Sequence, residues 1–235
     1  DEFRGPFAEA FRTLRAHLDF RSNAAGLTHP PRVMVASATP SEGKTTTASN
    51  LAVALARAGK KVLLVDCDLR RPRVHAFFDL DNAVGFTSVL LGTAAPGQAL
   101  HHVDEVPGLF VLPAGPPPPN PSELLASKRT QDALAALAEE VDQVIIDSPP
   151  LLPVADSVVL AGVVDATVVV ATSGATTGRS LTRALELLGN VGATVVGLVL
   201  NGVKEDAAYG YGYGYAPRER PSAPSSGEEP DRPEA

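Results

Sequence analysis

ATPSEGKTT, residues 38–46, stands between a short apolar run, RVMVASA (32–38), and a helical pattern, KTTTASNLAVALARA (44–58), with Gly59 just past its end. It fits G-x-x-x-x-G-K-[ST], with Ala38 in place of the first glycine. Backbone N–H groups of such a loop, and the N-terminus of the helix it opens, face phosphate oxygens. Thr39, Pro40, Ser41 and Glu42 form the turn, and Gly43 lets the chain pass close to the ligand. Lys44 reaches the outer phosphates, the Thr45 hydroxyl ligates Mg²⁺, and Thr46 completes the nucleotide-binding stretch.

Working outward, further apolar runs recur at regular intervals: KVLLVDC (61–67), LFVLPA (109–114), QVIIDS (143–148), ATVVVAT (166–172) and ATVVGLVLN (193–201). They are β-branched and scarcely alternate, as strands buried on both faces do. Helical patterns fill gaps at 44–58, 122–140 and 176–189. The repetition predicts an α/β domain: a doubly wound, mainly parallel sheet of the P-loop NTPase type with flanking helices. An amphipathic helix over 7–20 precedes it, with Phe7, Phe11, Leu14 and Leu18 on one face. PAGPPPPNPSELL (113–125) reads as a rigid loop running into a helix, with Pro121 and Ser122 in start positions.

Three acids follow strand ends. In LLVDCDLR (63–70), Asp66 and Asp68 point to the same side of an extended segment, and Cys67 faces the core. Ligands bind at the carboxyl edge of a parallel sheet, so one carboxylate can hold Mg²⁺ while the other takes a proton or orients a nucleophile. Taken alone, the pair also suits a capping or loop role. In VIIDSPP (144–150), Asp147 takes the place of a Walker B acid facing Mg²⁺ or its water. Asn201, at the end of LVLNGV (198–203), offers an amide that can read an adenine edge; an Asn accommodating the turn before Gly202 explains it nearly as well. His101–His102 has no acidic or cysteine partners at a metal-binding spacing.

The chain has 235 residues, 44% hydrophobic and 20% charged, enough for one domain plus tails. A net charge of −7 argues against a nucleic-acid binder. A single cysteine excludes a disulfide framework. No apolar run reaches the ~20 residues of a membrane span, and the charged start DEFRGPFAEAFR is no signal peptide. It lacks an initial Met, so the chain reads as a piece of a longer protein whose membrane anchor can lie outside it. We divide it into a domain over 1–206 and a tail over 207–235. The tail turns to Gly, Pro, Ser and charge and is expected to be disordered. All four tyrosines, Tyr209, Tyr211, Tyr213 and Tyr215, fall in AAYGYGYGYAP (207–217).

Taken in order, these features resemble the bacterial tyrosine kinases of capsule and exopolysaccharide synthesis. The features are EAFRTLR, carrying Glu9, Arg12 and Arg15 as E-x-x-R-x-x-R, then ATPSEGKT, LLVDCDLRRP, PAGPPPPNPSELL, VIIDSPP and the terminal tyrosine cluster. The resemblance covers nearly all of 7–215. It implies ATP and Mg²⁺ at 38–46. Lys44, Asp66 and Asp68 would be the catalytic residues, with Thr45, Asp66 and Asp147 at the metal. The four tail tyrosines would be the acceptors. It also implies a homo-oligomeric ring built through Glu9, Arg12 and Arg15, which otherwise read as a solvated stripe. The partners it implies are a membrane-bound polysaccharide co-polymerase or activator, protein tyrosine substrates and a counteracting phosphatase, at the inner face of the cell membrane. Two other readings compete. Partitioning and division-site ATPases share the fold but carry a signature lysine where this chain has Thr39, and they lack a tyrosine tail. A Gly–Tyr tail acting as a non-enzymatic scaffold is the other.

Overall fold

The computed structural model of the chain describes residues 5–27 and 32–203. The tyrosine cluster, the boundary at 206 and the expected disorder of 207–235 lie outside them. The described elements run α1 (Pro6–Ala24), β1 (Arg32–Ser37), α2 (Lys44–Ala56), β2 (Val62–Asp66), α3 (Val74–Phe77), α4 (Phe86–Leu91), α5 (Pro96–Ala99), β3 (His101–His102), β4 (Leu109–Leu112), α6 (Pro121–Ala126), α7 (Lys128–Ala138), β5 (Gln143–Asp147), α8 (Asp156–Ala161), β6 (Ala166–Thr172), α9 (Gly178–Asn190) and β7 (Val195–Asn201).

The strands form one sheet in the order β3-β4-β2-β5-β1-β6-β7. Every pairing is parallel except β3 with β4. The strands from β4 to β6 are apolar on both sides because helices cover both sides there; β7, expected to be buried on both faces, instead leaves Leu198 and Leu200 exposed at the sheet edge. Alternate residues go to opposite faces. Met34, Ala36, Leu63 and Val65 pack with Phe86, Leu134, Leu160 and Leu188 on one face. Val33, Val35, Val62 and Leu64 pack with Leu18, Leu51, Leu55 and Val74 on the other. The expected doubly wound architecture is present, and β1 lies where the strand order reverses, at the position that places ligands in such folds.

Several local expectations change. On α1, Leu18 is buried and Phe11 and Leu14 pack on the core. Phe7 is 54% exposed, its ring edge-on to that of Phe11 at 5.0 Å. The helix expected over 122–140 is two helices. Ser127 breaks it with ψ 151, donates its hydroxyl to the Leu124 carbonyl (2.7 Å) and caps α7 by accepting from the Thr130 N–H. The pair His101–His102 forms β3, and the His102 ring contacts Asp104 (3.0 Å) and Phe110.

Candidate active site

The loop from β1 to α2 is shaped by its own fifth residue. Glu42 is buried, 3% exposed. Its carboxylate accepts the Thr39 N–H (3.0 Å), the Thr39 hydroxyl (2.8 Å) and the Thr176 hydroxyl (2.6 Å). Its carbonyl accepts from the Thr172 hydroxyl (3.1 Å) and from Asn201 Nδ2 (3.2 Å). The ends of β6 and β7 therefore clamp the loop from behind. Two residues take left-handed backbone, Ser41 (φ 64) and Gly43 (φ 87). Gly43 stands at the N-cap of α2 without a side-chain cap, which leaves the first N–H groups of the helix for an anion.

The acids converge beside it. Lys44 Nζ lies 3.6 Å from Asp68 Oδ2, both side chains about nine-tenths covered. The Thr45 hydroxyl donates to Asp147 Oδ2 at 2.6 Å. Asp66 and Asp147 are register partners on β2 and β5. Asp66 is fully engaged by backbone: Oδ1 accepts from Asp68 N–H (3.1 Å), and Oδ2 from Arg73 (3.1 Å) and Val74 (3.0 Å). The loop role that the pair also suited is thus visible at Asp66, while Asp68 keeps Oδ2 toward Lys44. Burial, then the Asp147 charge, pushes Asp66 up to about 8. Burial pushes Asp147 up to about 6, against the pull of Lys44 and the Thr45 bond. Cys67, between them in sequence, is buried in the core, and burial raises its thiol.

Mg²⁺ fits these residues. Asp147 Oδ1 is buried with no hydrogen-bond partner among the described residues, beside the Thr45 hydroxyl. Two buried carboxylates in register repel each other, and a divalent cation relieves that. Among the described residues no group of three His, Cys, Asp or Glu could hold a metal unaided. Mg²⁺ commonly binds through one or two carboxylates plus substrate phosphates.

A cavity of about 640 Å³ opens here, bordered by the phosphate loop, by Asp68, Arg70, Arg71 and Arg73 from the strap after β2, and by Pro149, Pro150, Pro153 and Val154. Thr39, Glu42 and Asn201 are not on its wall. Asn201 uses both ends of its amide within the chain, donating to Glu42 and accepting from the Gly202 N–H (2.9 Å).

Sequence reasoning missed Thr172 and Thr176, which lie 130 and 134 residues from the carboxylate residue they clamp. It also missed the anchor of the strap, where Arg70 binds buried Asp156 through Nε (2.8 Å) and reaches Ser122 (3.0 Å). No local pattern signals either contact. On α1, Arg12 pairs with Glu9 at 2.6 Å on the surface, and Arg15 is half-buried, its Nε without a partner among the described residues.

The comparisons with known proteins bear on the family. The model of the CobQ/CobB/MinD/ParA nucleotide binding domain family matches residues 33–213. Tyrosine-protein kinase YwqD of Bacillus subtilis is 44% identical over 87% of the chain and 85% of its own length. Tyrosine-protein kinase ptk of Acinetobacter johnsonii is 36% identical over 86% of the chain, which spans only 27% of that relative. The kinase domain of Escherichia coli tyrosine kinase ETK superposes with a TM-score of 0.79 at 36% identity, covering 88% of this chain and 80% of that one. The chain belongs to the bacterial tyrosine-protein kinases, built on the CobQ/CobB/MinD/ParA nucleotide-binding domain.

Proposed function

We propose that this kinase uses ATP with Mg²⁺ to phosphorylate the tyrosines of its own tail, Tyr209, Tyr211, Tyr213 and Tyr215, with transfer between subunits. The observation that carries the reading is the juxtaposition of Lys44 and Asp68 beside a clamped phosphate loop, at the mouth of a cavity large enough for a nucleotide and a side chain. The loop N–H groups and Lys44 hold the triphosphate. Thr45 and Asp147 hold Mg²⁺, which neutralises charge on the phosphates. Asp68 orients the incoming phenol and accepts its proton. Asp66, with its oxygens committed to backbone, fixes the strap that carries the Arg residues. The phenolic oxygen bonds to the γ-phosphorus as the bond to the β,γ-bridging oxygen breaks, and ADP leaves with that electron pair. Positioning and charge neutralisation supply most of the rate. Asn201 acts from the loop's back, holding the Glu42 carbonyl through its amide.

The same reading places Glu9, Arg12 and Arg15 in a ring contact, where Arg pairs well with a neighbour's carboxylates. It places the chain at the inner face of the cell membrane, with a membrane-bound polysaccharide co-polymerase or activator, external tyrosine substrates and a phosphatase as partners. Control of exopolysaccharide or capsule synthesis is the output. No helix among the described residues is long and apolar enough to cross a membrane, so the reading requires a separate or fused membrane segment. The test is a mixture of a Lys44→Met chain with an active chain whose four tail tyrosines are Phe. Phosphotyrosine on the Lys44→Met chain supports transfer between subunits. Its absence, with labelling of the unmixed parent, refutes that step. Unchanged labelling in Asp68→Asn refutes the role of Asp68.

A further inference from the structure

The strap between β2 and α3 is fastened almost everywhere. Asp68 Oδ1 takes the backbone N–H of Arg71 (3.0 Å), and Asp66 Oδ2 takes those of Arg73 and Val74. The Arg70 guanidinium is locked on Asp156 and Ser122. Two groups stay unused. The guanidiniums of Arg71 and Arg73 are exposed, have no hydrogen-bond or ion-pair partner among the described residues, and border the same cavity as Lys44 and Asp68. Their backbone is fixed and their charges are not neutralised.

The triphosphate already has the loop N–H groups, Lys44 and a cation. An anion for Arg71 and Arg73 therefore arrives with the second substrate. On the proposed function, on which this inference rests, that substrate is the segment KEDAAYGYGYGYA (204–216), in which tyrosines fall at every second residue. In an extended chain, residues two apart point to the same side at about 6.6–6.8 Å. Each transfer turns a neutral phenol into a group of about −1.5 to −2 charge with three acceptor oxygens. Guanidinium is the side chain that grips such a group bidentately.

We propose that Arg71 and Arg73 form an anion subsite that holds a phosphotyrosine of the acceptor tail while a neighbouring tyrosine occupies the transfer position. The first phosphate is placed without this grip, and each later one is placed with it. In every round one phenolic O–P bond forms, one bridging P–O bond breaks, the phenolic proton passes to Asp68 and ADP departs. The subsite adds no reactant, only an anchor.

The test uses the full chain with its four tail tyrosines replaced by Phe as enzyme, and two synthetic peptides of residues 203–217. One peptide is unmodified and one carries phosphate on Tyr213. With ATP and Mg²⁺, the phosphopeptide is expected to show a kcat/KM roughly tenfold higher, mainly through KM, the equivalent of one charge-assisted contact. Arg71→Gln with Arg73→Gln is expected to bring the ratio of the two peptides to within about twofold. Arg71→Lys with Arg73→Lys keeps an intermediate ratio, since lysine retains charge but not the fork. Both side chains are exposed, so the variants should fold. Equal kcat/KM for the two peptides overturns the subsite while leaving the tail as acceptor. So does an unchanged ratio in the Gln variant. A rise in the KM for ATP that matches the lost preference assigns the arginines to nucleotide and also overturns it. Phosphate on neither peptide overturns the tail reading and the subsite together.

Discussion

Gly43→Ala tests whether the end of the last strand holds the phosphate loop in shape. Gly43 has φ +87, and a Cβ there would sit 2.0 Å from Asn201 Nδ2 and 3.2 Å from its Cγ. A left-handed L-residue costs roughly 1–2 kcal/mol. The Asn201 side chain must also move and lose its 3.2 Å bond to the Glu42 carbonyl, worth about 0.5–1.5 kcal/mol. The sum is about 1.5–3.5 kcal/mol, or roughly 10- to 300-fold in ADP affinity if the loop must take this shape to bind. Asn201→Ala alone loses only the bond, and the carbonyl keeps the Thr172 hydroxyl at 3.1 Å. That should cost about 1 kcal/mol, near fivefold. In the double variant the clash is gone and the bond is counted once, so the cost falls short of the sum by about 1 kcal/mol. Titration of a fluorescent ADP analogue into the parent and three variants, with urea unfolding as a fold control, measures the cycle. Additivity to within about 0.3–0.5 kcal/mol would refute the reasoning, since it would mean that the two residues do not compete for one space.

Two further outcomes follow from the same structure. Asp165 accepts from the Arg32 N–H (2.7 Å), Nε (3.0 Å) and Nη2 (2.8 Å). Burial tends to raise its pKa, but the Arg32 side-chain bonds, the backbone bond and the Arg32 charge outweigh burial and lower it. A lowered folded value contributes stability that is present above the ordinary carboxylate value of about 3.9 and lost as pH falls through the folded value. Asp165→Asn should therefore cost about 1–2 kcal/mol at pH 7 by urea unfolding, and the gap should close below about pH 4; a gap that widens in acid contradicts the pairing. Cys67 is fully buried, and its thiol is raised by burial. A thiol reagent should modify it only as the protein unfolds, and labelling of the native chain at the reagent's free-thiol rate contradicts its place in the core.

The sheet was legible because six of its strands are apolar runs rich in β-branched residues, five of them buried on both faces; β7 departs from this, with Leu198 and Leu200 more than half exposed. β3 was not legible, since two histidines on an edge carry no periodic signal. Ser127 was hidden for another reason. The residues on either side, SELLA and KRTQDALAALA, are mostly good helix formers, and only its ψ of 151 reveals the break. At the site, the residues of ATPSEGKTT and the three acids could be found because each follows a strand end in a recognisable order. What shapes them could not. Glu42 finds Thr176 134 residues away, and Arg70 finds Asp156 86 residues away. Such contacts exist only once β6 and α8 have been brought alongside by the fold. Asp66 shows the limit of pattern from the other side: alternation placed it beside Asp68, but not that its oxygens would be spent on the backbone of the strap.

The measurement that bears most directly on the account is the fate of the γ-phosphate. The purified chain is incubated with ATP and Mg²⁺, its intact mass is followed, and phosphosites are mapped beside a Lys44→Met control. The account predicts one to four phosphates per chain, all on Tyr209, Tyr211, Tyr213 and Tyr215, the chain's four tyrosines, and none in the control. Release of free phosphate with no gain in mass, or equal labelling of the Lys44→Met chain, would contradict it.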